Sequence, residues 1–232
     1  MTRSLAIMQP AFLPWMGYFA LMDRVDEFVI LDSVQFERRS WQQRNRVKGP
    51  NGVIWLTVPV RSHGRRDQRI DEVVLADAAG FARSAITTLD SFYSRVPHHE
   101  DLRPPIVDVI ARSPERLVDL TIPLMTTLRD QLGITTPFIR SSDLEVSGHK
   151  TELLVEICRQ RGATLYVSPP GSRAYLEGTT AFGDAGIELR YHQYEHPVYP
   201  QLWGEFVPYL SAVDVLFNLG PDALACVRRG VR

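Results

Sequence analysis

The chain has 232 residues, of which 44% are hydrophobic and 23% charged, and its formal net charge is −1. This is an ordinary globular composition, too apolar for a disordered chain and too balanced for a general pull toward nucleic acid or acidic membranes. Two cysteines, Cys158 and Cys226, exclude a disulfide framework or a cysteine-rich metal site. No apolar run approaches the roughly 20 residues that span a bilayer, and the N-terminus reads poorly as a signal peptide because Pro10 and Pro14 interrupt it. The expectation is a cytoplasmic protein with no membrane or nucleic-acid partner.

The first forty-odd residues organise the rest. Leu5 to Met8 is a short apolar run ending in Gln9-Pro10, an apolar stretch follows from Trp15 to Met22, and a second run from Phe28 to Leu31 ends in Asp32. Apolar run, polar turn, amphipathic stretch and apolar run read as β-α-β. Such a unit puts Gln9 and Asp32 at the carboxyl edge of a parallel sheet, where α/β proteins bind ligands. Pro14 suits the first turn of the helix, whose free N–H groups suit an anion. The aromatic residues around it, Phe12, Trp15, Tyr18 and Phe19, read equally well as core.

After Asp32 the sequence turns polar, with Gln35 and then Arg38, Arg39, Trp41, Arg44, Asn45 and Arg46. Four arginines in nine residues, with one tryptophan, could clamp a phosphate or carboxylate; the alternative is a solvated basic face. Asn51-Gly52 is a turn signal and 53–60 reads as a strand, so 45–60 is expected to form a hairpin. Residues 70–75 read as a short strand. Residues 78–132 read as a largely helical insertion, with Ser113 capping and Pro114 opening its last helix. Short apolar strands then alternate with helices: a strand at 137–140, a helix at 151–161 stopped by Gly162, and strands at 165–167 and 187–190. Residues 206–218 have helical spacing. The alternation predicts one α/β domain over 1–232, a Rossmann-like parallel sheet with a helical insertion at about 78–132 and a small β-hairpin. Its strand exits lie near Gln9, Asp32, Ser141, Ser168 and Tyr191.

Several chemistries are weakly supported. Nucleotidyl transfer on this layout uses an H-x-G-H after the first strand; Trp15-Met16-Gly17-Tyr18 keeps the glycine and lacks both histidines. Cys158 lies among Leu154, Val155 and Ile157, where a cysteine is usually a buried small hydrophobe, with a thioester role as the sharper alternative. Ser168 and Ser172, in a Pro-Pro-Gly loop, would need a base such as His192 or His196. His192 and His196 are four apart in a Pro-rich stretch without H-E-x-x-H, and His98-His99 has no ligand spacing, so no metal site is expected. No glycine-rich phosphate loop occurs, and no cofactor is expected.

The stretches AIMQPAFLPWMGYF (6–19), FVILDSVQFERRSWQQRNRVKGPNG (28–52), WLTVPV (55–60), SSDL (141–144), ATLYVSPPGSRAYL (163–176) and YPQLWGEFVPYLSAVDVLFNLGP (199–221) closely resemble the WbqC-like proteins of bacteria. The resemblance spans nearly the whole chain. It implies motif positions at Gln9, Pro10, Gly17, Tyr18, Asp32, Gln35, Trp41, Arg44, Asn45, Arg46, Ser168, Gly171, Tyr199, Gln201, Ser211 and Asp214; His196 lies outside the family pattern. It also implies an acyl or aminoacyl transferase of glycan or natural-product biosynthesis, forming an amide or ester from an activated, thioester-type donor on an amine or hydroxyl. The alternatives are a degenerate nucleotidyltransferase-like enzyme and a non-catalytic binding module. The expected catalytic residues are Asp32 as base, Gln9 at the reacting carbonyl, and Cys158 and His196. The expected substrate contacts are Tyr18, Gln35, Trp41, Arg44, Asn45, Arg46, Ser168, Ser172, Tyr199, Gln201 and Asp214. The expected partners are a small acceptor amine or sugar and, as donor, a candidate acyl-carrier protein.

Overall fold

The computed structural model describes residues 2–232. Strand β1 (Ser4–Met8) is followed by helix α1 (Met16–Asp23) and strand β2 (Glu27–Ile30). A hairpin of β3 (Arg44–Gly49) and β4 (Gly52–Thr57) follows, then helices α2 (Ala78–Tyr93), α3 (His99–Ala111) and α4 (Val118–Leu132). The chain returns to the sheet as β5 (Phe138–Arg140), α5 (Thr151–Gln160), β6 (Leu165–Ser168), the short helices α6 (Arg173–Leu176) and α7 (Ala181–Asp184), and β7 (Glu188–Tyr191). Helices α8 (Ala212–Leu219) and α9 (Ala223–Arg229) end it.

The five sheet strands are all parallel, in the order β5-β2-β1-β6-β7. Taken by their sequence among sheet strands this is 3-2-1-4-5, with the direction of winding reversing between β1 and β6. A crevice opens there, beyond the strands' carboxyl ends. The expected α/β architecture, with its parallel sheet, helical insertion and hairpin, is present. Successive residues of β1 serve opposite faces. Ala6 joins Phe28 and Ile30 in a core with α1, the α2–α4 helices and α8, whereas Leu5 and Ile7 join Val29 in a second core with Leu154, Ile157 and Cys158 of α5 and Phe182 of α7. Helix α1 is apolar all round, and Met16 to Met22 are buried, as suits a helix enclosed by the fold.

Three boundaries differ from the sequence reading, each because tertiary pairing wins over local pattern. Residues 70–75 form a single 3₁₀ turn (Ile70–Glu72), and Leu75 makes only an isolated bridge with Val60. Ser113 has φ 48°, and the chain around Arg116 pairs with 73–75, with Leu75 N–H donating to Glu115 O and Leu117 N–H to Val73 O; α4 therefore begins at Val118, not Pro114. Residues 206–210 are irregular, and α8 begins only after Ser211, whose hydroxyl accepts from Val213 N–H at 3.3 Å. Among the described residues no helix is long and apolar enough to cross a membrane.

At the sheet's amino-terminal edge, Glu27 is buried and bonds Arg161 at 2.7 and 3.1 Å and Arg3 at 3.0 Å. Burial alone would raise its pKa, but the donors on Arg161 and Arg3 outweigh that and hold it below the usual carboxylate value. Glu27→Gln should cost about 1.5–3 kcal/mol, the worth of a charge-assisted hydrogen bond, in denaturant unfolding at pH 7. Because the folded pKa is the lower one, this stability is complete above the unfolded value. The gap between wild type and variant should close as pH falls through the folded pKa.

Candidate active site

The crevice at the switch between β1 and β6 is a cavity of about 750 Å³, well within the range of small-molecule sites. Gln9, one residue past β1, lies in its wall. Gln9 Oε1 accepts from Gln42 Nε2 at 2.9 Å, which turns the Gln9 Nε2 donor toward the cavity. Ser172, Tyr166 and the Pro169-Pro170-Gly171 turn line the side under β6, and His192, the residue after β7, closes the far side. His192 is held by its own N–H donating to Ser168 O at 2.8 Å, which continues the parallel ladder one residue past the strand.

His192 is only 3% exposed, yet neither ring nitrogen has a well-formed hydrogen bond. Burial drives its pKa down to about 4, aided by the charge of Arg24 and weakly opposed by the Gly17 backbone. The imidazole is therefore uncharged at neutral pH. Its neighbour Tyr194, stacked on it at 5.9 Å, also lines the cavity and has an unpartnered buried hydroxyl. Glu37 is the sole formally charged side chain in the lining.

The turn from Pro10 to Pro14 shapes the entrance. Leu13 has φ 45°, and its carbonyl accepts from Asn45 Nδ2 at 2.7 Å, as does that of Phe12 at 3.3 Å. Phe12 N–H donates to Trp41 O at 3.0 Å, and Ala212 N–H to Pro14 O at 2.8 Å. Gly17 must lack a side chain because the Trp15 indole folds across it; a Cβ there would stand 2.1 Å from the ring.

Of the residues expected from sequence, Gln9, Tyr18, Trp41, Asn45 and Ser172 line this cavity. Arg46 lines an adjoining chamber, and Arg44 lies over Trp55 at 4.2 Å. The others are elsewhere. Asp32 is fully buried and its carboxylate is saturated: Arg140 Nε donates at 2.6 Å, Ser141 Oγ at 3.1 Å, Ser142 N at 3.0 Å and Ser142 Oγ at 2.9 Å. It ties β2 to β5 and has no free lone pair directed at the cavity, so the base role expected for it is corrected to a structural one. Cys158 is buried in the α5 core and burial pushes its thiol up to about 12, which corrects the nucleophile expectation. Ser168 is fully buried and bonds Ser172 and Tyr166 hydroxyls rather than an imidazole, so no serine–histidine pair exists. His196 packs among Trp15, Tyr199, Phe206 and Tyr209, with Nδ1 3.0 Å from Pro197 O, outside the cavity wall. Gln35 is exposed and donates to Arg66 O at 3.0 Å.

Tyr199, Gln201 and Asp214 belong to a separate buried network. Asp214 accepts from Tyr199 Oη at 2.8 Å and Tyr93 Oη at 3.0 Å, while Gln201 Oε1 accepts from Lys48 Nζ at 3.2 Å. Burial pushes the Asp214 carboxyl up to about 6 against these donors. Gln9 and Asn45 thus meet at one cavity, and Asp32 and Gln201 do not. Tyr194 was missing from the expected set, and His192 was expected only as a base for Ser168 or Ser172. The signal for His192 was its place directly after a strand in register with the others. Nothing local in the sequence marks Tyr194. Among the described residues no group of three or more His, Cys, Asp or Glu is placed to hold a metal.

Asp32→Ala should lower unfolding free energy by about 3–5 kcal/mol, the cost of orphaning one partner of a buried ion pair. Undiminished stability with lost ligand binding would instead return Asp32 to the reacting centre.

Comparison with known proteins agrees with the sequence resemblance. No solved structure matches the chain. An uncharacterized protein of Mycobacterium tuberculosis is 36% identical over 223 residues, spanning 95% of this chain and 96% of its own length. The WbqC-like protein family profile matches residues 9–226, from the cavity glutamine to the last helix. The chain belongs to the WbqC-like protein family.

Proposed function

We propose that the protein is an acyl or aminoacyl transferase, moving an acyl group from an activated donor such as a thioester to an amine or hydroxyl of a glycan or natural-product precursor. The observation that carries this reading is His192: a buried, uncharged imidazole in the wall of a cavity at the sheet's switch point, neither of whose ring nitrogens has a well-formed hydrogen bond. The acceptor amine nitrogen attacks the donor carbonyl carbon, and the C–N bond forms as the carbonyl π pair moves onto oxygen. Gln9 Nε2 donates to that oxygen, the arrangement that commonly stabilises such charge. The proton leaving the amine passes to the free imidazole nitrogen. Collapse re-forms the carbonyl and breaks the C–S bond, and the departing thiolate takes the proton from His192 and leaves as thiol.

Nucleotidyl transfer fits less well. A phosphoryl group reacting beside His192 calls for cationic donors there, and among the described residues the one formal charge in the inner lining is the carboxylate of Glu37; the arginines lie in the adjoining chamber. That carboxylate suits the ammonium of an aminoacyl donor, which takes no part in the attack.

Incubation of the purified protein with acyl thioesters and amines, read by product mass, tests the reading. His192→Ala, folded by circular dichroism, should lose about 10²–10⁴-fold in kcat/KM, the range for a positioned acid–base group. With the wild type, the acid limb of kcat/KM should lie near pH 4, because His192 is deprotonated above its depressed pKa and protonates below it; an ordinary histidine would give a limb near 6.5. Ligand-induced thermal stabilisation without product from any donor would make the protein a binding module instead.

A further inference from the structure

A second chamber of about 400 Å³ adjoins the cavity, lined by Trp15, Trp41, Arg46, Trp55 and Tyr209. Trp15, Trp41 and Tyr209 are walls of both spaces, so the two are adjacent. Its outer aromatics remain open to solvent: Trp41 is 46%, Trp55 44% and Tyr209 45% exposed. Large aromatic faces left this exposed are costly to keep in water without a ligand or partner to cover them.

Three properties narrow the occupant. The walls are flat π faces in contact with one another, Trp41 and Trp55 5.3 Å apart at 46° and Trp15 and Tyr209 5.3 Å apart at 57°, and they offer a planar ring an exposed aromatic surface to stack on. The charge is positive. Arg46 lines the chamber, and the Arg44 guanidinium sits over Trp55; the Nε atoms of both arginines are buried without a partner. Two arginines exclude the alternative use of an aromatic cage, capture of an organic cation. They favour an anionic group, which a guanidinium recognises in a planar fork. Arg46 also fixes the wall, since its Nη2 donates to Pro208 O at 3.1 Å and Tyr209 O at 3.0 Å. Finally, the inner cavity is far larger than a small acyl group and a single amine require, so the substrate has bulk beyond its reacting end.

We propose that the outer chamber binds a nucleoside phosphate, the base stacked on the exposed aromatic surface of Trp41 and Trp55 and a phosphate against Arg46 and Arg44. This deepens the transfer reading by making the substrate a nucleotide-linked one whose amine or acyl end reaches past Trp15 toward His192. It depends on that reading only for which end reacts, since the stacking and the charge are properties of the chamber itself.

The chain has four tryptophans, and three of them, Trp15, Trp41 and Trp55, line the chamber, so intrinsic fluorescence reports its occupancy. Nucleoside mono- and diphosphates, with the free nucleosides, inorganic phosphate, neutral methyl glycosides and choline in parallel, are titrated into the full chain. Saturable quenching by nucleotides is expected, about tenfold weaker for the free nucleosides, with no effect of phosphate alone. Trp55→Ala should weaken nucleotide affinity about tenfold or more, and Arg44→Gln should bring nucleotide affinity down toward that of the nucleoside. Absence of saturable quenching by every nucleotide, equal quenching by methyl glycosides, or tighter binding of choline overturns the proposal. So does unchanged nucleotide affinity in a folded Trp55→Ala. Failure here is distinguishable from failure of the transfer reading: nucleotide binding without product in any donor assay sinks the latter alone, and turnover with unlinked amines but no nucleotide binding sinks the former alone.

Discussion

The cavity depends on one turn keeping a conformation it would not adopt alone. Between β1 and α1 the chain passes two prolines and a left-handed Leu13, and the carbonyls of Phe12, Leu13 and Pro14 end up inside the fold. Each needs a donor, because an unanswered buried carbonyl costs about 1–3 kcal/mol. Asn45 Nδ2 answers two of them from the hairpin, and the Ala212 amide answers the third from the start of α8. Two residues from distant parts of the sequence, Asn45 and Ala212, therefore hold a single loop. Its two flanks, Gln9 and Trp15, are fixed as a result: one presents an amide to the inner cavity, the other forms the wall between the two chambers. The long excursion between β2 and β5 gains a purpose in this light, since it carries the clamp as well as helices that cover the sheet.

The sheet was legible because its code is local. Short apolar runs bounded by polar exits mark β1, β2, β5, β6 and β7, and a parallel sheet then forces their exits to one edge. Gln9 could be placed at the site from that rule alone, and His192 obeys the same rule one residue past β7. What could not be read is which polar side chains at that edge face the crevice and which face a neighbouring strand. Gln9 lies one residue past β1 and Asp32 two past β2; β2 has β5 beside it, and Arg140, Ser141 and Ser142 at its end surround the carboxylate, whereas Gln9 lies at the reversal of winding. The difference is one of topology, and strand order is not written in the hydrophobic pattern. The displaced start of α4 has the same origin: Ser113-Pro114 is a sound local cap, overridden by pairing with 73–75.

The fold treats its buried polar groups in two ways, and the contrast locates the chemistry. The carboxylates that residue type alone would nominate as catalysts are both answered, Asp32 by a guanidinium and two serines, Asp214 by two tyrosine hydroxyls with Lys48 nearby. Of the ten buried side-chain polar atoms without a partner among the described residues, five belong to His192, Tyr194, Arg44 and Arg46, at or beside the two chambers. Leaving a neutral group unpaired when buried costs far less than leaving a charge there, and the His192 imidazole, driven out of its charged form, is the neutral case. The low-dielectric setting that makes the empty site unfavourable also strengthens every hydrogen bond a ligand brings to it. The ring nitrogens of His192 and the Tyr194 hydroxyl are such unpaired groups: on the proposed reading, a ligand supplying a donor and an acceptor at that depth recovers what folding left unmet, and one lacking them does not.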